Sequence, residues 1–230
     1  MEGYALKAIE SGVDVLCFTD HIECGKLNTF DEFKFEERQR EFEQVKKQFD
    51  GQLILLNGFE ISEPHLHVKE LQFLRSLEPD MIIGSVHYPM DYQAEYQWVD
   101  RRTYEKFYNQ MVNDMVHFGG FDVLGHMDLP KRYHDDYVED WQILSDTLKT
   151  CAQKGIVPEI NTSSLRKGCS ETMVSIKSID YYASCGGKYV ITSSDSHTAD
   201  TIGYALQNIC DQLTTVTPCY FIKGKVVPVK

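Results

Sequence analysis

Histidine and acidic residues lie at or shortly after the ends of six short apolar segments of the chain. These side chains are Asp20, His21, Glu60, His87, His126, Asp128, Glu159, Asp195 and His197, with Asn161 close to Glu159. Imidazole and carboxylate groups together are ligands that suit zinc, manganese and iron. A bridging carboxylate such as Glu60 would allow a cluster of two or three ions, which can activate a water and clamp a phosphoryl group. The residue types therefore indicate a metal centre suited to phosphoryl chemistry.

The segments that precede these residues have the pattern of buried parallel strands. They lie at Val13–Phe18, Leu53–Leu56, Met81–Ile83, Phe121–Leu124, Ile156–Ile160 and Tyr189–Ile191. Amphipathic stretches with helical spacing separate most of them, at Asp31–Phe49, Thr103–Phe118, Trp141–Lys154 and Met173–Ser184. This alternation predicts an α/β fold, either doubly wound or a barrel, in which catalytic groups gather at the carboxyl ends of the strands. The tail Cys219–Val229 predicts a hairpin that turns at Gly224.

The composition is that of an acidic globular protein. The chain has 230 residues and a formal net charge of −12, from 23 basic and 35 acidic side chains. This length predicts one domain over residues 1–230, and the acidic balance argues against a nucleic-acid partner. The seven cysteines include no Cys-x-x-Cys pair, which is typical of reduced thiols. No apolar run approaches the ~20 residues of a membrane span. We therefore expect a cytoplasmic protein with no membrane partner.

Five motifs follow one another along nearly the whole chain. They are Phe18-Thr-Asp-His21, Gly58-Phe-Glu60, Gly84-Ser-Val-His87, Gly125-His-Met-Asp-Leu129 and Ser194-Asp-Ser-His197. Their order and spacing resemble those of the PHP (polymerase and histidinol phosphatase) family. Two further segments, Glu159–Gly168 and Lys131–Tyr133, are similar to the monofunctional histidinol-phosphatase branch, metal-dependent enzymes of histidine biosynthesis. The resemblance implies hydrolysis of a small phosphorylated metabolite, L-histidinol phosphate, to L-histidinol and phosphate.

The resemblance also implies a fold and a set of metal ligands. The fold would be a distorted seven-stranded TIM-like (β/α) barrel that holds up to three divalent ions, zinc, manganese or iron, at its carboxyl rim. The ligands would be His21, Glu60, His87, His126, Asp195 and His197. Glu60 would bridge two ions, one of them shared with His87 and His126 and the other with Asp195. His21 and His197 would hold the third ion.

Four residues are expected to act on the substrate itself. Arg166 would bind the phosphate, because its planar guanidinium suits bidentate contact with phosphate oxygens. Asn161 is expected to contribute to the same substrate site. Asp128 and His197 are positioned along the chain to supply a proton to the leaving alkoxide, which needs one.

The chain departs from the family pattern in one motif. The Asp-x-His-x-His expected at the end of a first barrel strand is absent, and residues Glu2–Ser11 predict the first helix. Either the sequence was clipped upstream of Met1, or the protein is a shortened and inactive relative. His65-Leu66-His67 does not replace the motif, because it follows Pro64 in a polar loop. An open barrel edge predicts a homodimer across the gap or low stability.

Two alternatives to histidinol phosphate hydrolysis follow from these observations. The first is a PHP phosphoesterase that acts on another substrate, such as phosphotyrosine. The second is a catalytically inactive protein that binds metal or a partner. Turnover of histidinol phosphate and of phosphotyrosine peptides distinguishes among the three.

Overall fold

The computed structural model describes residues 1–25, 28–89, 100–134 and 136–229. Within these ranges the strands are β1 (Val15–Ile22), β2 (Ile54–Ser62), β3 (Met81–Ser85), β4 (Val123–Leu124), β5 (Val157–Asn161), β6 (Tyr189–Ser193), β7 (Thr217–Ile222) and β8 (Lys225–Pro228). The helices are α1 (Glu2–Glu10), α2 (Phe35–Gln48), α3 (Val68–Ser76), α4 (Arg101–Phe118), α5 (Trp141–Lys154), α6 (Ser163–Arg166), α7 (Ile176–Ser184) and α8 (Leu206–Cys210). Short 3-10 turns lie at Leu129–Arg132 and Ala199–Thr201.

The strands form one curled sheet in sequence order from β1 to β8. Strands β1 to β7 run parallel to their neighbours, and β8 returns antiparallel to β7. Among the described residues, β1 pairs only with β2, so the sheet is a half-barrel with an open edge. The predicted TIM-like α/β fold and the C-terminal hairpin are confirmed.

The predicted bounds of the first two strands are wrong at their carboxyl ends. Strand β1 continues to Ile22 and β2 to Ser62, so His21 and Glu60 lie inside strands rather than after them. The apolar run ends where inward-facing residues become polar, but the ladder of backbone hydrogen bonds continues. As a result, the register places His21 directly beside Glu60.

Helices cover the outer face of the sheet and end at recognisable signals. The Asp140 side chain accepts hydrogen bonds from the first turn of α5, and Gly155 ends that helix with a left-handed φ of 71°. The predicted bounds of this helix, Trp141–Lys154, are confirmed. Met115 of α4 and Leu148 of α5 are fully buried in the core between helices and sheet. No helix in the described ranges has the length and apolar character to cross a bilayer.

Two glycines allow close packing beside the carboxyl ends of β3 and β4. A Cβ atom on Gly84 would lie 2.8 Å from the Phe121 ring, and one on Gly125 would lie 2.8 Å from a methyl carbon of β3. Both distances are shorter than van der Waals contact, so any side chain there would push the strands apart. Gly84 and Gly125 shortly precede His87 and His126, and this packing therefore sets the depth of the two histidines.

Candidate metal centre

The side chain of Glu60 lies at the centre of a histidine cluster. It is 6% exposed, and its Oε1 lies 3.1 Å from His126 Nε2 and 3.3 Å from His87 Nε2. Its Oε2 lies 3.3 Å from His21 Nε2. Ser85 Oγ donates a 2.5 Å hydrogen bond to Oε1. The structure thus brings together four of the six residues expected to bind metal.

Three atoms of this cluster form a triangle with the dimensions of a coordination shell. Glu60 Oε1, His87 Nε2 and His126 Nε2 are separated by 3.1, 3.3 and 3.4 Å. Donors held ~2.0–2.1 Å from a tetrahedral zinc ion lie roughly 3.3 Å from one another. His21, Glu60 and His87 also offer ligand atoms that all lie within 4.8 Å of one another. The residues present therefore fit a divalent metal ion in both donor type and spacing.

Hydrogen bonding within the cluster favours charged side chains. Burial disfavours the Glu60 carboxylate, but hydrogen bonds from His126 and His87 outweigh it and hold the pKa of Glu60 well below its usual value. Burial also disfavours the His87 cation, but the carboxylates of Glu23 and Glu60 outweigh it and raise the pKa of His87 to about 10. A protonated His87 therefore supplies positive charge between the two carboxylates, and a metal ion that binds this ring would displace its proton.

Two further carboxylates hold the histidines, and sequence reasoning missed both. Glu23 Oε1 accepts hydrogen bonds from His21 Nδ1 at 2.9 Å and His87 Nδ1 at 3.0 Å. Burial raises the pKa of Glu23, but these two bonds outweigh it and lower the pKa to about 2. Glu63 Oε1 accepts the backbone N–H groups of His87 and Tyr88 at 2.6 and 2.8 Å. The spacing His21-x-Glu23 was the available signal, because alternate residues of an extended chain share a face.

The loop after β6 carries the other two expected ligands, Asp195 and His197. Asp195 has a left-handed φ of 47°, and its Oδ2 accepts hydrogen bonds from Arg132 Nη1 at 3.0 Å and Ser163 Oγ at 3.1 Å. The ring of His197 packs edge-on against that of His21, with centroids 5.4 Å apart. His197 therefore lies at the edge of the cluster. Asp195 lies beside it, and its carboxylate accepts a hydrogen bond from Arg132.

Of the expected substrate residues, Arg166 supports this loop, and Asn161 supports the turn that follows β5. Arg166 donates to the backbone carbonyls of Ser194 and, at 2.9 Å, of Asp195. Asn161 is fully buried, and its Oδ1 accepts the backbone N–H of Ser163 at 2.9 Å. Both side chains thus hold the segments that carry the site, and their contact with substrate remains a prediction.

Asp128, expected to be catalytic, is paired with a lysine. It is 1% exposed, and Lys131 Nζ lies 3.2 Å from its Oδ2. Burial raises the pKa of Asp128 to about 6, although the charge of Lys131 opposes that shift. Among the described residues, no hydrogen bond or ion pair joins Asp128 to Glu60. Its catalytic role remains a prediction.

Arg132 and Glu159 also belong to the site, although the sequence analysis noted them only as members of the strand-end set and of the family-like segments and predicted no contact for either. Arg132 binds Asp195 as described above. Glu159 Oε2 accepts the backbone N–H of His126 at 2.8 Å and Nδ2 of Asn161 at 3.2 Å. Glu159 was visible at the end of a predicted strand, but its support of a neighbouring strand depends on tertiary structure.

Several buried polar atoms of the site have no hydrogen-bond partner within the described part of the chain. They include Glu23 Oε2, Glu63 Oε2 and His126 Nδ1. Such atoms are rare, because each costs about 1–3 kcal/mol when it is buried without a partner. Glu23 and His126 both contact the histidine cluster around Glu60, so their unpartnered atoms leave hydrogen-bonding capacity beside the candidate metal site.

A half-barrel with a carboxylate-centred histidine cluster at the carboxyl ends of its strands defines a class: TIM-like proteins with a candidate divalent-metal centre. Within that class the chain belongs to the PHP domain family, which matches it over residues 1–163. The resemblance seen in the motifs is thereby confirmed.

The chain is similar to curated proteins that carry the name probable histidinol-phosphatase. The protein from Deinococcus radiodurans is 27% identical over 226 residues, which cover 93% of this chain and 86% of the relative. That from Schizosaccharomyces pombe is 23% identical over 261 residues, covering 97% of this chain and 84% of the relative.

The same fold occurs in a solved structure. The histidinol phosphate phosphatase of Lactococcus lactis, crystallised with zinc, L-histidinol and phosphate, superposes with a TM-score of 0.82 at 22% identity. The similarity covers 98% of this chain and 91% of that one. It shows that both chains share one architecture.

Proposed function

We propose that the protein is a metal-dependent phosphomonoesterase that hydrolyses L-histidinol phosphate to L-histidinol and phosphate in histidine biosynthesis. The observation that carries the proposal is the ring of three imidazoles around the buried Glu60 carboxylate. Relatives that align along nearly the whole chain bear the histidinol-phosphatase name, which supports the substrate.

In this proposal six side chains hold up to three divalent ions, zinc, manganese or iron. They are His21, Glu60, His87, His126, Asp195 and His197. Glu60 suits the bridging position, because its two oxygens face different histidines. Bound ions would polarise the phosphoryl oxygens and make water a better nucleophile. The stacked and hydrogen-bonded rings would keep the donor atoms in place as the substrate binds and leaves.

Two arginines would neutralise a bound phosphate in this proposal. Arg132 and Arg166 approach Asp195 from its carboxylate and its backbone, respectively. Arg166 is fixed by backbone carbonyls and would present the rest of its planar guanidinium to the phosphate. Arg132 Nε is buried without a hydrogen-bond partner among the described residues, so this arginine retains a free donor. The phosphate would bind between these cations and the Glu60 cluster.

A proton is needed at the leaving alkoxide, and His197 is the better placed of the two candidate donors. Its side chain is 65% exposed and lies beside His21, so a substrate can reach it. The Asp128 carboxylate is buried against Lys131. We therefore propose His197 as the proton donor when the third ion is absent, and Asp128 as the donor when His197 binds that ion.

Phosphate release tests this function. The full chain, freed of metal and reconstituted with zinc or manganese, is incubated with L-histidinol phosphate or with a phosphotyrosine peptide, alongside Asp195→Asn. We expect release from histidinol phosphate that Asp195→Asn abolishes. Faster phosphate release from the peptide would identify phosphotyrosine as the substrate instead. Folded, metal-loaded protein that is inactive on both compounds would contradict the proposed phosphatase activity.

Two broader expectations also remain proposals. We propose that residues 1–230 act as one domain in the cytoplasm. We also propose a homodimer, because among the described residues β1 pairs on one side only and an exposed strand edge favours pairing with another chain. Analytical ultracentrifugation tests the dimer, which a single monomeric species at micromolar concentration would contradict.

A further inference from the structure

The carboxylate of Glu23 touches two candidate metal ligands at once. Its side chain is 8% exposed, and Oε1 alone accepts both hydrogen bonds, from His21 Nδ1 and His87 Nδ1. Neither the motifs nor the ligand set proposed above includes this residue. Its place in the site therefore needs an explanation of its own.

The two imidazoles span the space between two carboxylates. The rings of His21 and His87 are stacked, with centroids 5.0 Å apart and planes inclined by 18°. At one end both Nδ1 atoms lie 2.9–3.0 Å from a single oxygen of Glu23. At the other end the Nε2 atoms face separate oxygens of Glu60, each at 3.3 Å. Glu23 therefore determines which edge of each ring faces Glu60.

The backbone of Glu23 is itself fixed. Its N–H donates to Thr29 Oγ1 at 3.0 Å, and its carbonyl accepts the Thr29 N–H at 2.7 Å. Glu23 directly follows Ile22, the last residue of β1, so the sheet also fixes the chain that leads into it. A carboxylate on an anchored backbone can orient its partners, because it does not move with them.

We propose that Glu23 is a positioning residue of the metal centre. An imidazole that donates its Nδ1 proton to a carboxylate keeps the Nε2 lone pair for a metal ion, and the carboxylate makes that nitrogen more basic. By holding two rings through one oxygen, Glu23 prepares two Nε2 donors on the two sides of Glu60. The inference rests on the metal site of the proposed function and adds a residue that touches neither metal nor substrate.

The test compares three variants of the full chain. Glu23→Ala removes the acceptor, whereas Glu23→Gln keeps an acceptor oxygen. Glu105→Gln is the matched control, because Glu105 is an equally buried glutamate paired with Arg101 and Arg102. Zinc affinity is measured by competition with a chromophoric chelator. We expect Glu23→Ala to weaken zinc binding roughly 10–100-fold, Glu23→Gln to restore most of that loss, and Glu105→Gln to bind as the wild type does.

Two results would overturn the proposal. Wild-type zinc affinity in a folded Glu23→Ala protein would mean that the carboxylate does not position the rings. A loss in Glu23→Gln as large as in Glu23→Ala, with an altered cobalt absorption spectrum, would make Glu23 a direct ligand instead. Neither readout uses phosphate release. Wild-type protein that binds zinc but releases no phosphate would therefore contradict only the proposed function.

Discussion

Polar side chains of β1 and β2 meet buried charged groups on both faces of the sheet, and the two faces differ in how these groups are paired. On the outer face Arg38 of α2 donates to the Asp20 carboxylate at 2.6 Å, to Asn57 Oδ1, and to two backbone carbonyls at 3.0 Å. Its guanidinium also stacks 4.6 Å above the Phe59 ring. Each nitrogen of Arg38 thus has a partner inside the protein.

On the inner face His21 and Glu60 occupy the neighbouring register positions. There, acidic and imidazole groups crowd together, and Glu23 and His126 each keep one buried atom without a described partner. Residue type and burial do not separate the two faces, since both hold buried charged residues. What separates them is whether hydrogen bonding is completed within the chain. The outer face is built for stability, and the inner face retains capacity for a ligand.

The largest effect should follow a change at the centre of the inner face. Glu60→Gln removes the charge that faces three imidazoles, and metal coordination supplies several kcal/mol of transition-state stabilisation, so phosphate release should fall by roughly 1000-fold. Steady-state kinetics on histidinol phosphate, with circular dichroism to verify folding, measure this. If phosphate release by the folded variant falls by less than tenfold, Glu60 is not at the centre of the active site.

The outer face should respond in stability rather than activity. Arg38→Met leaves Asn57 Oδ1 and two carbonyls without their donor, and we expect a loss of about 3 kcal/mol in the free energy of unfolding. Urea denaturation measures it, with the exposed Arg40→Met on the same helix as a control within about 0.5 kcal/mol of wild type. Loss of zinc binding in a folded Arg38→Met protein would break the distinction between the faces.

Acidity should weaken metal binding at the inner face. Since hydrogen bonds to carboxylates raise the pKa of His87 to about 10, this ring is protonated at neutral pH, and a metal ion must displace that proton. Zinc affinity should therefore rise with pH between 6 and 9, by about tenfold per unit for each proton released. Calorimetry in buffers of different ionisation enthalpy counts these protons. A flat profile would contradict the assigned charges.

The smallest effect is expected at a histidine outside the cluster. His117 Nε2 and the Asp146 carboxylate form a half-exposed hydrogen-bonded pair at 2.9 Å. Because exposed pairs contribute little, His117→Gln should change the free energy of unfolding by less than about 1 kcal/mol and leave zinc affinity unchanged. Thermal unfolding and the chelator competition test both statements. A large loss of zinc affinity would show that histidines outside the cluster also bind metal.

The alternation of apolar runs and amphipathic stretches predicted the α/β class, and the resemblance of the motifs to the PHP family selected the TIM-like barrel. The Glu60 cluster was predictable because polar residues at the ends of parallel strands must meet, even in β4, which is two residues long. The side chains that hold these residues in place could not be predicted from the sequence. Glu63 holds His87 from another strand connection, and Arg132 reaches Asp195 across 63 positions. Such contacts depend on how strands and loops pack, which no local pattern records.

The central claim is that the inner face holds metal because the Glu60 carboxylate and three imidazoles bring their donor atoms together at coordination distances. Zinc content after gel filtration of zinc-saturated protein, measured by atomic emission for wild type and Glu60→Gln, tests it most directly. The account predicts at least one tightly held zinc ion per wild-type chain and its loss in Glu60→Gln. A folded wild-type chain without zinc, or equal zinc in both proteins, would contradict it.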